Sequence, residues 1–300
     1  MQETVEAAEA VSGWTPIAEE AERATRMLHP KDTFPKPPRR RVMTVANQKG
    51  GVGKTTSAVN LAASLAMHGL KVLVIDLDPQ GNASTALGVD HRSGVPSIYE
   101  VLIGEVSLSD AAAVSDQSDN LYCVPATIDL AGAEIELVSM EGRESRLKEA
   151  LPTGALDELS PDYVFIDCPP SLGLLTVNAM VAAEEVLIPI QCEYYALEGL
   201  SQLLRNIELV QNHLNPNLQV STILLTMYDG RTKLADQVTA EVRKHFGDTV
   251  LRTVIPRSVK VSEAPGFGQT VLAYDPGSRG AMSYLDAARE MAERGFGEEK

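Results

Sequence analysis

Three hundred residues, 44% hydrophobic and 22% charged, suit one large α/β domain or two small ones with a sizeable core. No apolar run reaches the roughly 20 residues needed to span a bilayer, and the acidic Met1–Gly13 lacks the basic and apolar regions of a secretory signal. The net charge of −15 argues at first against nucleic acid, whose phosphates call for basic side chains. Residues 1–40 read as an N-terminal extension. Thr15-Pro16 has the chemistry of an N-cap followed by a first helical position, and Ile17, Ala21, Ala24 and Leu28 share one face. A short amphipathic helix to about Leu28 is predicted. His29–Arg40, with Pro30, Pro35, Pro37 and Pro38, has linker composition.

From Arg41 the chain alternates between strand and helix patterns. Val42–Asn47 is a short apolar strand, and Lys54–His68 is a helix with Val59, Leu61, Ala62, Leu65 and Ala66 inward. Lys71–Asp76 and Tyr163–Asp167 are near-continuous apolar runs that end in an acid. Val186–Ile190, Gln219–Leu225 and Val250–Ile255 are further strands. Helices are expected over Ser97–Ile103, Asp129–Met140, Leu172–Ala183, Leu197–Leu214, Lys233–Phe246 and Gly280–Arg294. Strands apolar on both faces with helices between them predict an α/β fold, a doubly wound and mostly parallel sheet flanked by helices. One domain over 41–297 is the economical division. Cys123, Cys168 and Cys192 are far apart, without metal-ligand spacing, and read as small buried hydrophobes.

The segment after the first strand carries the chemistry. Lys49-Gly50-Gly51-Val52-Gly53-Lys54-Thr55-Thr56 places glycines where backbone N–H groups must converge on an anion. Lys54 stands where it can reach β- and γ-phosphates, and Thr55 offers a hydroxyl to Mg²⁺ at the mouth of a helix. The usual phosphate loop begins with glycine where Gln48 stands, and Lys49 gives this loop a second lysine. Two acidic strand ends, Asp76-Leu77-Asp78 and Asp167, lie at the carboxyl edge of the sheet, where open α/β sheets bind ligands. Met227 and Pro256 are adenine-side candidates by position alone.

These motifs resemble the deviant Walker A motif of the ParA/MinD group of P-loop ATPases. The likeness runs over about Arg41–Arg294 and is nearest to the ParA (Soj-type) partition ATPases. The discriminating stretches are LTMYDGRT and VIPRSVKVSEAPGFGQTVLAYDPGSRGAMSYLDAARE. The resemblance implies that Lys49 acts in trans on the nucleotide of a second protomer, so that activity depends on a homodimer formed with ATP. It makes Asp78 the carboxylate that positions the attacking water, Asp76 a nearby Mg²⁺ or water partner, and Asp167 the Walker B residue. Lys49, Lys54 and Asp78 are then the catalytic set, and Thr55, Asp76 and Asp167 the metal set. It further implies non-specific binding of double-stranded DNA in the ATP state, a ParB-type partner that stimulates slow hydrolysis, and a cytoplasmic, nucleoid-associated location.

The charge distribution leaves room for DNA. From Asp90 to Glu198 about 20 acids face 4 basic residues, whereas from Thr226 to Arg279 basic residues lead by two. Arg231 in YDGRT and Arg257 in IPRSV match the family's DNA contacts best, followed by Lys260 and Arg279. A MinD-like membrane ATPase is the nearest alternative, but such proteins end in a basic amphipathic helix and Ser283–Lys300 is acidic. A metabolic ATP-dependent ligase on the same fold would need a substrate pocket with its own recognition groups, and a nitrogenase-iron-protein-like reductase would need cluster-bridging cysteines.

Overall fold

The computed structural model describes residues 33–151, 159–193 and 196–295. The helix predicted up to Leu28 lies outside them. β1 (Arg41–Val45) leads through the glycine loop into α1 (Lys54–Met67), followed by β2 (Val72–Asp76). Four elements that pattern reading did not isolate come next: short α2 (Asn82–Ala86), α4 (Leu108–Ala111), β3 (Ala113–Val114) and β4 (Leu121–Val124), with the expected α3 (Ile98–Ile103) among them. Then come α5 (Leu130–Val138), α6 (Arg146–Ala150), β5 (Tyr163–Asp167), α7 (Leu174–Ala182) and β6 (Glu185–Gln191). The chain continues with α8 (Ala196–His213), β7 (Gln219–Tyr228), α9 (Lys233–Phe246) and β8 (Val250–Pro256). It closes with α10 (Val259–Glu263), α11 (Val271–Tyr274) and α12 (Arg279–Arg294).

All eight strands join one sheet in the order β3-β4-β2-β5-β1-β6-β7-β8. Every pairing is parallel except that of two-residue β3 with β4. The predicted doubly wound, mostly parallel sheet is therefore present. β2 and β5 bury every residue, as strands covered by helices on both faces must. Successive side chains feed two separate cores. Leu73 and Ile75 pack with α3 to α9 on one face, and Val72 and Val74 pack with α1 and α12 on the other. Helix starts follow local chemistry: a Ser97–Glu100 capping box opens α3, and the Thr232 and Ser278 hydroxyls cap α9 and α12.

At the amino edge of the sheet, charges are buried and fully paired. Arg41 grips Glu185 through two bonds of 2.8 and 2.6 Å and donates to the Met291 carbonyl at 3.1 Å. Buried Glu290, on α12, accepts from the backbone N–H groups of Arg252 (2.8 Å) and Thr253 (3.0 Å), from the Thr253 hydroxyl (2.9 Å) and from Arg294. Burial pushes its pKa upward, but these donors outweigh it and hold the carboxyl at about 2. The second half of the proline-rich segment packs here too. Phe34 is buried, donates its N–H to the His68 carbonyl at 3.0 Å and stacks on the His68 ring at 4.1 Å.

Candidate active site at the carboxyl edge

The loop between β1 and α1 is pinned from three sides. Asn47 Nδ2 donates to the Pro189 carbonyl at 2.8 Å, and its Oδ1 accepts from the Lys49 N–H at 3.0 Å. Thr226, at the end of β7, donates its hydroxyl to the Val52 carbonyl at 2.8 Å. Gly51 and Gly53 adopt φ of 72° and 87°, a region costly for any residue with a Cβ. Gly53 caps α1 without a side-chain acceptor, and no acid occupies the first turn. The N-terminal N–H groups and the positive end of the helix dipole therefore face the loop cavity, a ready anion site. Lys54 is buried beside it with Nζ 3.4 Å from the Lys49 carbonyl. Burial lowers its pKa, and nearby Asp167, Cys168 and Asp78 oppose that fall.

Asp76 and Asp167 end adjacent strands and stand directly across from each other in register. Their environments differ sharply. Asp76 is saturated: Oδ1 accepts from the Asp78 N–H at 3.1 Å, and Oδ2 from the Ser84 N–H at 2.8 Å and the Ser84 hydroxyl at 2.7 Å. Burial still raises its pKa to about 6. Asp167 is fully buried, yet neither oxygen has a hydrogen-bond donor of ordinary geometry. Burial, then the neighbouring Asp76 charge, lifts its pKa well above the carboxylate range, while the Thr55 hydroxyl and Lys54 pull the other way.

A buried carboxylate with two free oxygens beside a threonine hydroxyl is what a hard cation completes, so these residues fit Mg²⁺. Among the described residues no group of three or more His, Cys, Asp and Glu could hold a metal ion. Asp78, nearly buried, is held by a turn in which its Oδ1 accepts from the Gln80 N–H at 3.0 Å. Lys49 is half-buried and lies 3.4 Å from Glu193 Oε2.

The remaining candidates gather at the ends of β7 and β8. Met227 has φ of 51°, uncommon for a residue with a side chain, and adjoins Thr226. Pro256 pairs with neighbouring Tyr228 in register. The Arg257 N–H donates to the Tyr228 carbonyl at 3.0 Å, which joins the two loops. Arg231 is exposed and bidentate on Asp229 at 2.8 and 2.7 Å, holding that carboxyl at about 2. Lys260 pairs with Glu263 at 3.4 Å and lies 5.5 Å from the Tyr274 ring centre. Exposed Arg279 opens α12, and Gly280 beside it packs on Ser258 and Val261, so the starts of α10 and α12 adjoin. Asn47, Ser84, Glu193 and Thr226 were not singled out from the sequence. The contacts that tie them into the site span 8 to 174 positions, from Ser84–Asp76 to Thr226–Val52, and spacing carries no signal of them.

The chain as a whole resembles known proteins. Residues 40–220 match a family model described as an AAA domain. The chain is 52% identical over 255 residues to the sporulation initiation inhibitor protein Soj of Bacillus subtilis, covering 85% of this chain and 99% of that one. It is equally 52% identical to the chromosome partitioning protein ParA of Caulobacter vibrioides, covering 85% and 94%. A crystal structure described as cobyrinic acid a,c-diamide synthase from Mycobacterium smegmatis, with bound ADP and magnesium, superposes with a TM-score of 0.70. It is 42% identical and covers 83% of this chain and 92% of that one. A two-lysine phosphate loop, paired strand-end aspartates and half-identity across nearly the whole length of these relatives give one conclusion: the chain belongs to the ParA/Soj family of chromosome-partitioning P-loop proteins.

Proposed function

We propose that this protein is a Mg-ATP-dependent, dimerising ATPase that binds DNA without sequence preference in its ATP state and partitions chromosomes or plasmids with a ParB-type partner. The observation that carries the reading is Asp167, buried and without donors beside Thr55 and Lys54 at the mouth of α1. Such a site is incomplete without a cation and a polyphosphate. Bound Mg²⁺ would offset charge on the β- and γ-phosphates. The loop N–H groups and Lys54 bind the phosphates, and Thr55 and Asp167 face the metal shell. Asp76, its oxygens already occupied, acts chiefly by fixing the turn that carries Asp78. Asp78 orients the attacking water and accepts its proton. Lys49 crosses to the nucleotide of a second copy and stabilises charge there, as an arginine finger does. Met227 and Pro256 flank the adenine. Arg231, Arg257, Lys260 and Arg279 meet DNA phosphates, and a dimer doubles that face. The active form works in the cytoplasm on the nucleoid, without a membrane.

A second reading draws on the synthase title of the 42%-identical structure. Partition is favoured because the relatives described as Soj and ParA are 52% identical over 85% of this chain, against 42% over 83% for the structure described as a synthase. DNA co-sedimentation across nucleotide states and salt tests the choice. ATP, and not ADP, should drive the protein onto arbitrary duplex DNA, with affinity falling steeply as salt rises. A wild type that stays in the supernatant with ATP, or that pellets with anionic vesicles instead, would overturn the reading.

A further inference from the structure

Glu193 stands two residues beyond the end of β6, and its two oxygens reach groups assigned above to different tasks. Oε2 lies 3.4 Å from Lys49 Nζ. Oε1 lies 3.4 Å from Arg257 Nη2 and accepts from Gln191 Nε2 at 2.6 Å. One carboxylate thus joins the lysine that crosses to a partner's nucleotide with the arginine that grips DNA. We infer that Glu193 restrains both cations in the isolated chain, as a shared internal counter-ion displaced once when Lys49 meets a second copy's phosphates and again when Arg257 meets DNA. This inference rests on the ATP-gated DNA-binding reading.

The carboxylate is held in place from both sides. Gln191 fixes Oε1, and the Glu193 N–H donates to the Gln191 carbonyl at 2.8 Å. Next to it, the Cys192 N–H donates to the Thr226 carbonyl at 3.2 Å, and the Thr226 hydroxyl anchors the phosphate loop at Val52. On the far side Arg257 is tied through its own N–H to Tyr228. The side chains of Lys49, Glu193 and Arg257 are 37%, 44% and 60% exposed. Ion pairs of that exposure are weak and readily exchanged, which suits a restraint that a triphosphate or a duplex backbone must outcompete.

The sign follows from charge. Two cations share one anion, so neutralising the anion frees both. Glu193→Gln in the full chain should lower the DNA concentration for half-binding with ATP by about two- to fivefold in co-sedimentation at fixed salt. It should also lower the protein concentration at which ATP produces a dimer in size-exclusion light scattering. In an Arg257→Ala background Glu193→Gln should still gain in dimerisation, and should gain nothing in DNA binding at a protein concentration where ATP makes both proteins fully dimeric. A full-sized DNA gain in that background overturns the inference, because the carboxylate then merely repels DNA. No gain in either assay, with a wild type that dimerises and binds DNA on ATP, overturns the restraint and leaves the ATP-gated reading standing. A wild type that does neither with ATP overturns both.

Discussion

The two edges of the sheet bury charge in opposite ways. At the amino edge, Arg41 and Glu185 meet through two short bonds and Glu290 collects donors from Arg252, Thr253 and Arg294. At the carboxyl edge, Asp167 has no donor of ordinary geometry, Lys54 is pulled down by burial, and Asp76 is pushed up to about 6 despite three bonds. Both edges pay desolvation, but only the first recovers it within the chain. Saturated buried charge reads as architecture; unsaturated buried charge reads as a site that awaits its ligand.

The contrast can be broken most violently at the amino edge. Arg41→Ala or Glu185→Ala strands a buried charge and should cost about 3–5 kcal/mol in urea unfolding, whatever the nucleotide. Lys54→Ala should leave the fold intact while weakening ATP binding about 100-fold or more by titration calorimetry, as expected when a charged donor is lost from a phosphate.

Glu290 sharpens the contrast through pH. Its folded pKa, about 2, lies below the ordinary 4.5, so its stabilisation is fully present above pH 4.5 and drains away as pH falls toward 2. The stability gap between wild type and Glu290→Gln should stay level at roughly 2–3 kcal/mol from pH 7 to 4.5 and close below that. A gap that widens on acidification would refute the assignment.

Asp167→Asn should do the reverse of the Arg41 change. Removing an ionisable group that lacks partners should raise the nucleotide-free protein's thermal stability by about 1 kcal/mol and abolish the further rise that Mg-ATP gives the wild type. The smallest effect belongs to exposed Arg231. Arg231→Ala should reduce the slope of log affinity for DNA against log salt by about one, without altering ATP binding.

Much of this was legible in the chain because the relevant signals are local. Apolar runs ending in Asp76 and Asp167, and the glycines between Lys49 and Lys54, point to strand ends at the carboxyl edge, whereas only the strand order sets the two aspartates side by side. β3 and β4 escaped because strands of two and four residues inside an acidic stretch carry too little pattern. The different fates of Asp76 and Asp167 could not be read either. Both follow an apolar strand, and only the approach of Ser84, eight positions on, saturates one and not the other. Glu193 is hidden for the same reason: its partners are 144 positions before it and 64 after.

The stacking of Phe34 on His68 has a practical corollary. His68 caps the end of α1 farthest from the phosphate loop, so Phe34 sits on the side of the fold remote from the candidate nucleotide site. A small dye attached at exposed Lys36, two positions after Phe34, would sit on that same side. Such a label leaves the carboxyl edge uncovered, which makes this side of the fold the natural place for a probe in imaging and pull-down work.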